Sequence, residues 1–204
     1  MKKVKILNDW VCPGKIVCIG RNYVGHINEL QNEMPDEPVV FCKPNSTISE
    51  SLLCEHGGET LHFETEICFA VANGEYSAVG VGLDLTKRAT QSKLKKKGLP
   101  WERAKAFDGA AVFSDFVELP EQPSQLGLEL KINGNLVQKG AVDRMLYPPE
   151  HLLHAVKQFL SLNDHDIVMT GTPKGAGAIY RNDVFHAQVT CGNRVLIHKE
   201  WVAK

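Results

Sequence analysis

The sequence predicts an α+β fold dominated by β-strand, and three observations carry that reading. Apolar runs of strand length, rich in β-branched residues, recur at 15–20 (KIVCIG), 38–43 (PVVFCK) and 166–170 (DIVMT). Clean alternation at 128–132 (LELKI) meets Asn133-Gly134 and resumes at Leu136 and Val137, the pattern of a hairpin closed by a type I′ turn. Helical spacing is confined to a few short stretches. Many strands with few helices favour a β-rich α+β domain over a doubly wound sheet.

Along the chain, MKKVKILNDWV has the basic start of a secretory leader, but Asn8 and Asp9 interrupt its apolar segment. No later apolar run approaches the roughly 18 residues needed to span a bilayer, so a cytoplasmic protein without membrane partners is expected. The runs 15–20 and 38–43 read as buried strands, with a brief helix around 23–31 between them. Residues 61–69 (LHFETEICF) alternate as a strand. A helix is expected over 87–97, capped by Thr86 and stopped by Gly98 and Pro100. The stretch 118–124 is a loop. Pro148-Pro149 opens a helix whose apolar stripe is Leu152, Leu153, Val156, Phe159 and Leu160. A second hairpin, 184–189 with 194–197 around Gly192-Asn193, ends the chain.

With 204 residues, 43% of them hydrophobic and 23% charged, the chain suits one well-filled domain over 1–204. A formal net charge of −1 with interspersed signs offers no nucleic-acid footprint. The basic cluster Lys93, Lys95, Lys96 and Lys97 reads as a solvated helix end favoured by the dipole. The six cysteines contain no C-x-x-C pair and support neither a disulfide framework nor a zinc site.

In 61–69 the alternation sends Glu64 and Glu66 to one face while Phe63, Ile67 and Phe69 take the other. Two carboxylates so placed can converge on one hard cation, for which oxygen ligands suit Mg²⁺, Mn²⁺ or Ca²⁺. Two charges about 5 Å apart repel by only about 1 kcal/mol in water and about 3 kcal/mol at an effective dielectric of about 20. Spacing alone therefore leaves a solvated strand face as the ordinary reading of E-x-E. Asp84, at the end of 79–84 (VGVGLD), could complete a facial set of oxygen ligands or serve only as a local turn residue. His26 and Glu29, three apart, would meet on one helical face as an oriented general base or as a surface pair. Lys105 is a candidate electrophilic cation or an exposed helix lysine. The turn 170–177 (TGTPKGAG) lacks P-loop spacing, though its amides and hydroxyls could hold a carboxylate.

Taken in order, the stretches 15–23 (KIVCIGRNY), 37–44 (EPVVFCKP), 62–66 (HFETE), 82–86 (GLDLT), 96–101 (KKGLPW), 104–107 (AKAF) and 170–175 (TGTPKG) resemble the fumarylacetoacetate hydrolase family, in particular its small acylpyruvase-like branch. The resemblance covers nearly the whole chain. It implies a mixed β-sandwich roll with few short helices, usually a homodimer. It also implies a divalent metal, commonly Mg²⁺, on Glu64, Glu66 and Asp84, with Mn²⁺ or Ca²⁺ as substitutes. By the same resemblance His26 and Glu29 form the general-base pair on a segment, about 20–35, that acts as a lid. Lys105 becomes the active-site lysine, Arg88 and Gln91 a supporting polar pair, and Thr170, Gly171 and Thr172 the carboxylate-holding turn. Arg21, Tyr23 and Lys43 are placed near the pocket by their motifs. The chain departs from the family pattern between Ala72 and Val79, where it is shorter, at Phe63, which replaces a histidine, and at 108–112 (DGAAV).

The expected function is therefore metal-dependent hydrolysis of a C–C bond in acylpyruvates or related 2-oxo acids, of the acetylpyruvate or fumarylpyruvate type. The alternatives on the same metal site are oxaloacetate decarboxylation or tautomerisation, or isomerisation in aromatic catabolism. A different class, a non-catalytic 2-oxo acid or metal binding protein, is kept open by the shortened segment before Asp84.

Overall fold

Two Asn-Gly pairs, each able to take two positive φ values, fold neighbouring strands back on themselves. Asn73 and Gly74 adopt φ 53° and 76°, and Asn133 and Gly134 adopt 50° and 82°. The computed structural model describes residues 1–31 and 33–204. Asn32, within the segment 20–35 expected as a lid, lies outside the described residues.

In chain order the strands are β1 (Val4–Ile6), β2 (Asp9–Val11), β3 (Lys15–Gly20), β4 (Val39–Pro44), β5 (Glu55–His56), β6 (Glu59–Phe63), β7 (Thr65–Ala72), β8 (Glu75–Asp84) and β9 (Thr86–Lys87). They continue with β10 (Ala111–Phe113), β11 (Val117–Glu118), β12 (Leu126–Ile132), β13 (Asn135–Ala141), β14 (Ile167–Met169), β15 (Gly177–Ala178), β16 (Val184–Cys191) and β17 (Arg194–Val202). The helices are α1 (Val24–Glu29), α2 (Arg88–Lys96), α3 (Glu102–Lys105) and α4 (Pro149–Lys157).

The largest sheet runs β10-β8-β7-β14-β3-β4, with β11 also on β8. It is mixed, because β14 lies parallel to β3 and antiparallel to β7. A second sheet, β13-β12-β16-β17, is built from the two expected hairpins. The main core joins the two sheets: Ile67, Phe69, Val81 and Leu83 cluster with Leu128, Leu130, Phe185 and Val189. On the other face of the large sheet Ile16, Cys18, Cys68 and Met169 pack with Val4 and Ile6. Helix α4 covers Val17, Ile19 and Val168 through Leu152 and Val156. The result is the β-rich sandwich with few short helices that the resemblance implies. Among the described residues no helix is long and apolar enough to cross a membrane.

Four local expectations are corrected. Residues 61–69 are not one strand: β6 ends at Phe63, paired with Gly177, and β7 begins at Thr65, paired with Leu83, so the chain changes sheets at Glu64. β4 is an edge strand and largely half-buried. Helix α4 stops at Lys157, which leaves Phe159 65% exposed. Thr86 does not cap α2, whose N-cap position is Lys87 without a side-chain cap; the Thr86 hydroxyl is engaged elsewhere.

Candidate active site

A hairpin and one irregularity in it assemble the three acids. Closed by Asn73-Gly74 alone, β7 and β8 would pair Val71 with Tyr76 and continue in that register, setting Asp84 opposite Phe63. A bulge leaves Ser77 unpaired, so that Ala70 meets Ala78 and Glu66 meets Gly82. The Asp84 amide consequently donates to the Glu64 carbonyl at 2.8 Å. Because side chains alternate with period two, this one-residue shift turns Asp84 onto the face that carries Glu64 and Glu66. All three are buried, and one carboxylate oxygen from each lies within 4.8 Å of the others.

Cations surround this floor. Lys105 Nζ sits 2.8 Å from Glu64 Oε2, 2.7 Å from Asp84 Oδ2 and 2.7 Å from the Thr86 hydroxyl. It is buried, not an exposed helix lysine. Arg88 pairs with Glu64 Oε1 and donates to Gln91 Oε1 at 2.6 Å. Lys43 Nζ is 2.8 Å from Asp84 Oδ1, an ion pair outside hydrogen-bond geometry, and donates to the carbonyls of Lys105 and Ala110.

The environment separates the two glutamates. Burial pushes the Glu64 carboxyl up, but the Lys105 and Arg88 charges outweigh it and hold Glu64 far below the usual carboxylate range. Burial, then the negative charges of Asp84 and Glu64, drives Glu66 well above that range, and the Gly171 amide at 2.5 Å opposes this only in part. Lys105 is lowered by burial and raised more by Asp84 and Glu64, so it stays charged. The donor set fits a hard divalent cation: three buried carboxylates, with Asp84 Oδ1 making no hydrogen bond among the described residues. These groups could hold such an ion.

Above the floor, His26 lies on α1 with Nε2 4.0 Å from Glu64 Oε1 and Nδ1 3.1 Å from Glu29 Oε2. Glu29 also accepts from the Gly175 amide, at 3.0 Å and 3.2 Å to its two oxygens, which pins α1 to the turn after β14. Gly175 has φ 101°, and a Cβ there would stand 2.3 Å from the Val137 carbonyl oxygen. Gly175→Ala is therefore expected to lower stability by at least about 1–3 kcal/mol through backbone strain. A urea midpoint equal to that of the wild type would show that the turn relaxes freely.

The cavity over the acids is about 40 Å³. Of the residues expected at the site, Arg21, His26, Glu64, Glu66, Asp84, Arg88, Gln91, Lys105 and Thr172 line it. Glu29 stands behind His26. Four expected substrate contacts, Lys43, Tyr23, Thr170 and Gly171, stand back from the cavity: Lys43 is sealed beneath Asp84, Tyr23 directs its hydroxyl to the Ala141 carbonyl at 3.3 Å, and the Thr170 hydroxyl donates to Ile67 O at 2.9 Å. Gly171 acts through its amide on Glu66. Phe41, Trp101, Leu30 and Lys95 also line the cavity and were not singled out for it from the sequence. For Lys95 the signal was present, since Arg88, Gln91 and Lys95 fall at i, i+3 and i+7 of one helix.

Comparison with known proteins gives the family and the fold. Residues 15–198 match the family "Fumarylacetoacetate (FAA) hydrolase C-terminal". The mitochondrial oxaloacetate tautomerase FAHD1 of Bos taurus is 36% identical over 88% of this chain and 89% of its own length. The oxaloacetate tautomerase YcgM of Escherichia coli is 35% identical over 83% and 85%. A solved structure from Oleispira antarctica, provisionally described as a fumarylacetoacetate isomerase/hydrolase, superposes with a TM-score of 0.92 at 34% identity and covers 100% of both chains.

Proposed function

The chain belongs to the fumarylacetoacetate hydrolase family, and on that premise we propose that it interconverts the keto and enol forms of oxaloacetate, with Mg²⁺ or Mn²⁺ held by Glu64, Glu66 and Asp84. The observation that carries the reading is the placement of His26 on the same small cavity as the three buried carboxylates and Lys105. Among the chemistries this arrangement could serve, the reading is supported by relatives that are oxaloacetate tautomerases.

Tautomerisation needs a base for the C3 proton and a cation where charge develops on the 2-oxo oxygen. His26 supplies the base through Nε2, since its Nδ1 is engaged by Glu29. As the C3–H bond breaks, its electron pair forms the C2–C3 double bond and the carbonyl electrons move to oxygen, which takes up a proton from solvent. Lys105, buried and charged, stabilises that oxygen electrostatically. A bound divalent cation would supply Lewis acidity toward the 2-oxo group. Thr172, fixed by the Gln138 side-chain amide at 2.9 Å, offers its hydroxyl at the cavity wall.

A second reading, hydrolysis of acylpyruvates, rests on the same dyad, because an imidazole oriented by a carboxylate can equally deprotonate water. One panel separates them. Oxaloacetate and acetylpyruvate are followed with added cation and with EDTA, scoring enol absorbance, pyruvate and CO₂ independently. The expected result is EDTA-sensitive acceleration of oxaloacetate enol–keto exchange without stoichiometric pyruvate. Cation-dependent pyruvate release from acetylpyruvate, with exchange at the uncatalysed rate, would establish the hydrolase instead. Binding without turnover of any 2-oxo acid would leave a binding protein.

A further inference from the structure

Helix α2 turns Arg88, Gln91 and Lys95 toward the cavity from one face. Among the four clustered lysines at its C-terminal end only Lys95 shares that face; it is half-buried, while Lys93, Lys96 and Lys97 are exposed. Arg21 reaches the same cavity from the residue after β3. It holds φ 56°, a left-handed conformation costly for a residue with a Cβ and concentrated at functional sites. Its guanidinium contacts the Glu33 carbonyl at 3.4 Å, and its Nε is buried with no hydrogen-bond partner among the described residues. Burial, then the positive charges of Arg21 and Arg88, pushes the Lys95 ammonium down, and the Glu64 charge opposes this only in part.

We propose that Arg21 and Lys95 form a subsite for the remote carboxylate of a dianionic 2-oxo acid, and so select dicarboxylates over singly charged 2-oxo acids. The inference rests on the oxaloacetate reading and adds the group that distinguishes oxaloacetate from monoanions. An anion between Arg21 and Lys95 relieves their mutual repulsion and gives the Arg21 Nε an acceptor. A guanidinium and an ammonium converging from two elements suit a planar carboxylate, with the guanidinium fixing its orientation. The opposite end of the substrate stays over the acids and His26, so the two cations set its binding and leave the proton transfer to His26.

The test compares oxaloacetate with its 4-methyl ester in tautomerisation, and malate with its 4-methyl ester in calorimetric binding, all with Mg²⁺. Each ester keeps the carbon skeleton and removes one charge. Lys95→Met is expected to lower the diacid-to-ester ratio of kcat/KM, and the matching ratio of association constants, by about tenfold, the effect of one charge-assisted hydrogen bond. Lys95→Arg is expected to restore most of both ratios. Equal weakening of acid and ester in both assays overturns the subsite and leaves tautomerisation standing. So does a wild type that binds malate no more tightly than its ester. A wild type that selects malate, loses that selectivity in Lys95→Met and turns over no oxaloacetate keeps the subsite and removes the tautomerase reading.

Discussion

Asp84→Ala is expected to abolish divalent-cation binding and to destabilise the fold by about 3–5 kcal/mol, the cost of removing one partner of a buried ion pair. Asp84 is 1% exposed and stands between two buried ammonium groups, Lys43 and Lys105, at 2.8 Å and 2.7 Å. Its removal does not leave them equally stranded. Lys43 keeps carbonyl acceptors from Lys105 and Ala110, and Lys105 keeps Glu64 and Thr86. The loss should therefore lie toward the lower end of the range, and Asp84→Asn, which keeps the shape and the acceptor oxygen, should lose less still. Cation binding gives an independent readout. At 100 times its dissociation constant a ligand stabilises the native state by about 2.7 kcal/mol, so the wild-type melting temperature should rise with Mg²⁺ and that of Asp84→Ala should not. A variant with the wild-type urea midpoint and an undiminished calorimetric Mg²⁺ isotherm would remove Asp84 from the cation site.

What the sequence could convey about this site follows from the range of each interaction. Turn chemistry is local, so Asn133-Gly134 announced its hairpin, and period two put Glu64 and Glu66 on one face. The bulge at Ser77 was not legible. Nothing in EYSAVG marks which residue drops out of pairing, yet that choice turns Asp84 toward Glu64 rather than away from it. Hairpin and bulge together bring Asp84 into the acid cluster. The change of sheets at Glu64 was equally hidden, since its cause is the pairing of Phe63 with Gly177, more than a hundred residues distant in the chain. Lysines posed a different difficulty. Lys43, Lys95 and Lys105 carry the same charge, and only packing makes the first a sealed counter-ion to Asp84, the second a cavity-wall cation and the third a bridge between acids.

His26→Ala is expected to reduce kcat for enol–keto exchange by about 10²–10⁴, the usual contribution of a positioned general base, while the Mg²⁺ dissociation constant changes little. His26 stands over Glu64 at 4.0 Å from Nε2 and is not among the three acids, so its loss should remove proton transfer without removing the ion. Glu29 is a positioning residue, acting through His26 Nδ1 and through the Gly175 amide. That dual role makes Glu29→Ala a compound change, which both loosens α1 from the turn and frees the imidazole. Glu29→Gln is the cleaner probe, since it removes the charge that stabilises an imidazolium and can still accept a hydrogen bond through its amide oxygen. If Glu29 works only through His26, the double variant His26→Ala, Glu29→Gln should lose no more kcat than His26→Ala alone. Additive losses in that cycle would mean that Glu29 influences the reaction by a route other than the imidazole. A His26→Ala enzyme exchanging at the wild-type rate would move the base elsewhere on the cavity wall, with Lys95 and Lys105 the remaining titratable nitrogens there.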